Sequence, residues 1–355
     1  MPDFDERLTR LRTEVQQTLD AFIADHSPTL LGISSELAPA LGAIVDMVGG
    51  GKRLRPAACY WGFLGGGGVE GPGIIQAAAS LEFLQASALI HDDVMDHSDT
   101  RRGMPAVHRR LAALHTERGW QGSADDFGAA AAILIGDLAL VWADAMFFSA
   151  PFADAELHRA KRVFDTMRTE LMGGQFLDVL EQARGGGSVE RAARVMRFKT
   201  TAYTIERPLH LGAALANADE AVFAAYTAFG VPLGEAFQLR DDVLGVFGDP
   251  ALTGKPAGDD LREGKRTVLI ALAQERADAH QAAVLDRHIG DAALDASGVA
   301  AVHEVLRETG ALAAVEQRIA RGREQALAAL EASAIAPAAI EALRALADAA
   351  TVRTA

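Results

Sequence analysis

Four carboxylates fall within eight positions of LIHDDVMDHSDTRRG, residues 89–103: Asp92, Asp93, Asp96 and Asp99, with Arg101 and Arg102 following at once. On a helix Asp92 and Asp96 share one face, where like charges repel by a few tenths of a kcal/mol. Gln85, Ala88, Asp92 and Asp96 recur at steps of three or four and so form one stripe. A solvated acidic helix end would explain such a motif on its own. The residues just before it, FLQASALI, are apolar, however, and bare carboxylates beside apolar surface are costly or protonated. A hard divalent cation relieves that cost, and carboxylates without cysteine or clustered histidine favour Mg²⁺ over zinc.

A second acidic pair sits in EAFQLRDDVLGVFGD. There Gln238, Asp241 and Gly245 lie on one stripe with Asp242 adjacent. Two acidic helix ends, each preceded by a glutamine on the same face, suggest facing helices that aim ligands into one cavity of a bundle. Cations cluster as well: Lys52, Arg53 and Arg55 in GGGKRLRP, Arg101 and Arg102 in TRRG, Lys199 in RFKTTAY, Lys255 in TGKPAG, and Lys265 and Arg266 in EGKRT. Arginine forks and lysine point charges grip phosphate oxygens. GGGKR is not a nucleotide loop, because arginine follows the lysine and no hydrophobic strand precedes the glycines. The ligand implied has oligophosphate character and is handled by Mg²⁺. With no serine, histidine and aspartate set and no reactive cysteine in evidence, the chemistry expected is electrostatic stabilisation of a leaving diphosphate.

The elements that must position these groups are helices. Apolar residues recur at helical spacing through residues 4–25, 38–48, 73–97, 127–148, 153–183, 189–217, 219–247, 266–288, 298–308, 311–331 and 337–350. Glycine and proline cluster in the breaks, at 65–68, 71–73, 185–187 and from 248, and a polar stretch spans 99–126. Alanine and leucine dominate and strand-favouring runs are scarce, so an all-α helical bundle with a central cavity is expected. No long linker or fixed-period repeat divides the 355 residues, and one domain over 1–355 is expected.

Composition narrows the partners. The formal net charge of −14 argues against nonspecific nucleic-acid binding, which needs a basic surface. The single cysteine, Cys59, rules out an internal disulfide framework and suits a reducing cytoplasm. The charged start MPDFDERLTRLRTEVQQTLDAF lacks the apolar core of a signal peptide. Residues 127–148 are the most membrane-like, but Asp137 and Asp144 interrupt them, so a buried bundle helix is expected rather than an integral membrane segment.

Taken in order, GGGKRLRP, LIHDDVMDHSDTRRG, GMPAVH, GDLAL, GGQFLDV, FKT, FQLRDDVLGVFGD and TGKPAGDDLREGKRT resemble the trans-isoprenyl diphosphate synthases, the polyprenyl synthetase family. The resemblance covers a motif core at about 45–270 and leaves packing helices at about 271–350. It implies a head-to-tail prenyltransferase that condenses isopentenyl diphosphate with an allylic diphosphate. By it, Asp92, Asp96 and Asp241 hold Mg²⁺, three ions to a site and replaceable by Mn²⁺, with Asp93 and Asp242 close by. Arg101, Lys199 and Lys255 grip the allylic diphosphate. Lys52, Arg55, Gln85 and Arg102 hold isopentenyl diphosphate. Thr200 and Gln238 face a developing carbocation, Gln175 and Asp178 lie beside the metals, and Lys265 helps close the pocket. A homodimer is implied, with helix 127–148 the candidate interface. One departure stands out: the family's second motif commonly ends in a third aspartate, and here that position is Gly245.

A growing hydrocarbon tail must run from the phosphates along the helix that leads to Asp92. Ser87 and Ala88 lie five and four residues upstream and Leu84 eight upstream, roughly 6–12 Å away at about 1.5 Å per residue. Short-chain relatives resemble one another in placing an aromatic floor near the first of these positions. That floor is missing here, so geranylgeranyl diphosphate, C20, is the expected product, with C25 or longer and farnesyl diphosphate as alternatives. Phe83 or bulky residues of other helices would shorten it. A head-to-head or cyclising enzyme would not need the isopentenyl diphosphate set. A noncatalytic regulatory subunit would be expected to lose the aspartates that this chain keeps.

Overall fold

The structure, a computed structural model, describes residues 4–184, 186–248, 258–333 and 335–351. Among these the chain is all-α apart from one two-residue hairpin. It forms two compact units, residues 1–161 with 208–218, and residues 162–207 with 219–355.

The first unit is built around α4, Pro72–Met95, which packs on α1 (Phe4–Ile33), α2 (Ala38–Val48), α3 (Leu54–Gly65), α5 (Val107–Arg118) and α6 (Ala124–Phe148). Nearly every α4 residue from Gly73 to Ile90 is buried, as befits a helix that is apolar all round. Both α4 and α6 are long and apolar enough to cross a membrane. The apolar window of α4, however, is 78% buried within the protein, whereas that of α6 is 44% buried. The uncovered face of α6 carries Ile133, Leu134 and Val141. The 208–218 segment is fastened to α3 backbone to backbone: a Cβ on Gly62 would lie 2.8 Å from Leu209 Cα, and one on Gly212 2.8 Å from the Gly62 carbonyl carbon.

The polar stretch expected at 99–126 is not a simple break. It holds strands β1 (Thr100–Arg101) and β2 (Met104–Pro105), joined by Arg102 and Gly103 with φ 54° and 75°, and then α5. Two successive positive φ values give the tight turn whose twist matches a hairpin. Helix α5 is masked in the sequence because its buried stripe, Val107, His108, Leu111, Ala112 and His115, is interleaved with arginines. Helix α3 is likewise an addition to the expected elements, and α1 runs past the expected end at 25, through Pro28, to Ile33.

α7, Asp154–Arg184, begins in the first unit and continues in the second. There α8 (Val189–Val195) leads into a π-helical stretch, Met196–Glu206, and the chain then returns to the first unit in α9 (Arg207–Leu215), where the sequence suggests one helix over 189–217. α10, Glu220–Phe247, is the second unit's central helix. It contacts the π stretch and α15 (Ala311–Glu331), with α11 (Asp259–Arg262), α12 (Val268–Arg276), α13 (Ala279–His288), α14 (Ala296–Glu308) and α16 (Pro337–Thr351) completing the unit. Its core gathers Leu239, Val243, Leu269, Val302 and Val315.

Candidate active site

In the first unit the acidic end of α4 and the hairpin form one cluster. Asp92 and Asp93 occupy the last turn of α4 and Asp96 is its C-cap residue. A helix C-terminus already carries partial negative charge, so these aspartates stand where the backbone is least favourable to them. Asp93 is 1% exposed, and the Arg101 guanidinium donates to its Oδ1 through Nε at 2.9 Å and through Nη2. Arg101 Nη2 also lies 3.6 Å from Asp92 Oδ2. Arg102 turns away toward the GGG loop, where its Nη1 is 3.4 Å from the carbonyl oxygen of Gly49. Burial pulls the Arg102 pKa down, and the nearby cations Arg53, Arg101 and Arg55 act in the same direction while Glu82 opposes them. An exposed arginine in a cluster of cations is suited to an anionic ligand such as a diphosphate.

Lys52 is exposed at the end of that loop, and Arg55 is half-buried in the first turn of α3. Arg53 behaves differently from both. It is 3% exposed, adopts φ 53°, and donates to Glu82 of α4, to Gln16 Oε1 of α1 and to the carbonyl of Val48. Thus the cation grouped by sequence with its neighbours is instead a rivet that fixes the loop bearing Lys52 and Arg55. The trace of it in the sequence is Glu82, a carboxylate inside an apolar helix that needed a buried partner. Glu82→Ala leaves a buried guanidinium uncompensated, and is expected to cost about 3–5 kcal/mol in chemical denaturation and to loosen the loop that carries Lys52 and Arg55. Gln85 lies one turn further along α4 and is half-buried.

In the second unit the π stretch carries Lys199 and Thr200. π-helical insertions widen one turn of a helix and are frequent at functional sites. Glycines hold this one in place on both sides. A Cβ on Gly174 of α7 would lie 2.7 Å from Lys199 Cα, and one on Gly234 of α10 3.0 Å from Thr201 Cα. Lys199 Nζ donates to Asp178 of α7 at 2.6 Å, with Gln175 half-buried one turn before.

At the end of α10, Gln238 Nε2 donates to Asp242 Oδ1 at 2.7 Å, so its amide nitrogen steadies the acidic pair. Asp242 is 6% exposed, and burial pushes its carboxyl up to about 7. Asp260 and Asp241 add to the rise, while the Gln238 hydrogen bond and Lys265 resist it. Lys265 itself bridges Asp260 Oδ1 at 3.1 Å and Glu263 Oε2 at 2.6 Å. Asp241 is half-buried beside this group, whereas Lys255 lies outside the described residues. Each unit therefore gathers aspartate oxygens beside its own cations. That oxygen-only, electron-rich donor set fits a hard divalent cation.

The sequence places Phe83, Leu84, Ser87 and Ala88 along the expected path of the hydrocarbon. Phe83, Leu84 and Ser87 are fully buried and Ala88 partly so. One turn below Ser87, Phe83 meets aromatic rings from two other helices. Its centroid is 5.4 Å from Phe22 of α1 and 5.7 Å from Trp142 of α6, and His26 stacks on Phe22 at 3.8 Å. This plate leaves no mark in the sequence, since its members come from three separate helices.

Comparison with known proteins places these motifs in a wider set. The polyprenyl synthetase family model matches residues 38–306. The chain is 35% identical over 278 residues to the geranylgeranyl diphosphate synthase of Mycobacterium tuberculosis, covering 78% of this chain and 73% of that one. It is 34% identical over 238 residues to the geranylfarnesyl diphosphate synthase of Aeropyrum pernix, covering 66% and 70%. Among solved structures, geranylgeranyl pyrophosphate synthase of Corynebacterium glutamicum, complexed with isoprenyl diphosphate and magnesium, is similar with a TM-score of 0.94 and 43% identity over 98% of this chain and 99% of that one.

Proposed function

The chain belongs to the polyprenyl synthetase family and is a trans-prenyltransferase, and from that premise we propose that it joins isopentenyl diphosphate to an allylic diphosphate to make geranylgeranyl diphosphate, C20. The observation that carries the reading is the end of α4, where Asp92 and Asp93 meet Arg101, with Asp96 as the C-cap, at the tip of a mostly buried, largely apolar helix. A charged head and a hydrocarbon tail are what such a helix end can serve at once. The C20 length is supported by relatives of that name and by the aromatic plate one turn below Ser87, which would end the path of the tail.

In this reading Asp92, Asp96 and Asp241 would hold Mg²⁺ for the allylic diphosphate, with Asp93 and Asp242 as neighbouring carboxylates. Mg²⁺ bound there would supply positive charge to stabilise the departing diphosphate. Arg101 and Lys199 bind the same diphosphate and stabilise the charge it gains. Lys52, Arg55, Gln85 and Arg102 hold isopentenyl diphosphate so that its double bond meets the allylic carbon. Thr200 and Gln238 present oxygens to the cation that forms. The released diphosphate takes the final proton, so no protein base is needed. We place the enzyme in the cytoplasm as a homodimer, the uncovered apolar stripe of α6 being the surface that suits a second copy. Purified protein incubated with isopentenyl diphosphate and dimethylallyl, geranyl or farnesyl diphosphate should yield C20 in Mg²⁺ and nothing in a chelator. Absence of condensation with every primer would overturn the reading.

A further inference from the structure

Two charged side chains bracket the π stretch that carries Lys199 and Thr200. Arg197, its second residue, donates from Nη2 to Oε2 of Glu206, its last residue, nine positions further on. An α-helix has 3.6 residues per turn, so nine positions make two and a half turns and set two side chains on opposite faces. A π-helix, bonded from i to i+5, has about 4.4 residues per turn, so nine positions make about two turns and set them on one face. The pair can therefore close only while the widened turns are kept.

Glu206 is 2% exposed, so opening the pair strands a buried carboxylate. The far end is held by a second pair. Arg207 donates from Nε and Nη2 to the two carboxylate oxygens of Glu170 on α7, at 2.7 and 2.6 Å, and its Nη1 lies 3.9 Å from Glu206 Oε1. Arg197 also faces Glu235 of α10, whose carboxyl is pushed up by burial and held back by Arg197 and by Arg318 of α15. The glycines of α10 fit the same widened turn. A Cβ on Gly230 would lie 2.9 Å from Glu206 Cα, and Gly234, four positions on, meets Thr201, five positions before Glu206. One α turn of α10 is thus matched to one π turn of the stretch beside it.

We propose that Arg197 and Glu206 are positioning residues, an ion-pair clasp that closes only on the π form and so fixes the direction of Lys199. Were the stretch to wind down to an α-helix with Glu206 in place, Lys199, seven residues earlier, would turn by roughly a third of a turn. It would then leave Asp178, to which its Nζ donates at 2.6 Å. The inference deepens the proposed function, since it rests on Lys199 as a grip on the allylic diphosphate, and the clasp acts through that lysine.

Steady-state kinetics on the full-length protein test it, with Lys199→Met as the reference. Arg197→Met opens the clasp and should raise KM for the allylic diphosphate about 10-fold, the worth of a charge-assisted hydrogen bond, in step with Lys199→Met. KM for isopentenyl diphosphate should stay unchanged, and Arg197→Lys, which keeps the cation, should recover most of the loss. Glu170→Gln weakens a pair of similar burial that does not span the π turns, and should lower the melting temperature without moving either KM. Structural damage alone lowers the active fraction, and with it kcat, but leaves both KM values in place. If Arg197→Met does not fold, Glu206→Gln keeps the shape, weakens the same pair and should give a smaller rise in the same KM. An unshifted allylic KM in the Arg197 and Glu206 variants, beside a rise in Lys199→Met, overturns the clasp and leaves the site standing. So does an equal rise in Glu170→Gln. No rise in Lys199→Met overturns the reading of Lys199 itself.

Discussion

Asp92→Asn should lower kcat by about 10³-fold or more while the metal-free protein melts at the same temperature or slightly higher. The two halves of that result have one cause. Asp92 and Asp96 are like charges at i and i+4, repelling by a few tenths of a kcal/mol, at a helix C-terminus that adds its own negative potential. Asparagine keeps the volume of the side chain and removes one of those charges, a relief set against the weakened 3.6 Å ion pair with Arg101. A group that costs stability and is kept for activity marks a functional site. Asp93→Asn separates the roles, because Asp93 is buried at 1% and is bound twice by Arg101. There both activity and stability should fall, the latter by about 1–3 kcal/mol as a buried charge-assisted hydrogen bond is weakened. Steady-state kinetics and calorimetry on the two variants check both statements. Equal destabilisation in Asp92→Asn and Asp93→Asn would show that Asp92 is structural.

Much of this site was legible because its motifs are local. DDVMD and LRDD each lie within one or two turns of a single helix, so spacing alone puts Gln85 with Asp92 and Gln238 with Asp241. The rest depends on what the chain brings together from afar. Arg53 reads as one of three phosphate-gripping cations until Gln16 and Glu82 are seen to enclose it. Lys199 reads as part of an ordinary helix, and the widened turn that presents it is set by two glycines on separate helices, Gly174 and Gly234. Helix α5, hidden in a stretch that reads as polar, buries a narrow stripe between arginines. A narrow stripe suffices because a glycine lets it approach closely, a Cβ on Gly128 of α6 falling 3.0 Å from Ala112 N.

Product length offers the second large effect, and the aromatic plate decides its sign. If the tail descends α4 past Ser87, the next turn on that side is Phe83, backed by Phe22 and Trp142. Ser87→Phe would raise the floor by one turn, about 5.4 Å, and should shift the product from C20 to C15. The Ser87 hydroxyl is buried with no hydrogen-bond partner, so its loss is without cost, and any destabilisation, about 1–3 kcal/mol, comes from overpacking. Trp142→Leu works in the opposite direction. It removes ring contacts worth about 0.5–1.5 kcal/mol each from the far side of the plate, letting Phe83 swing away, and C25 or longer products should accumulate. The two variants together separate a floor from a mere disturbance, since damage to the fold would lower the rate in both without moving product length in opposite directions. Chromatographic sizing of the prenyl alcohols after phosphatase treatment reads the result, and an unchanged C20 distribution in both variants would place the end of the tunnel elsewhere.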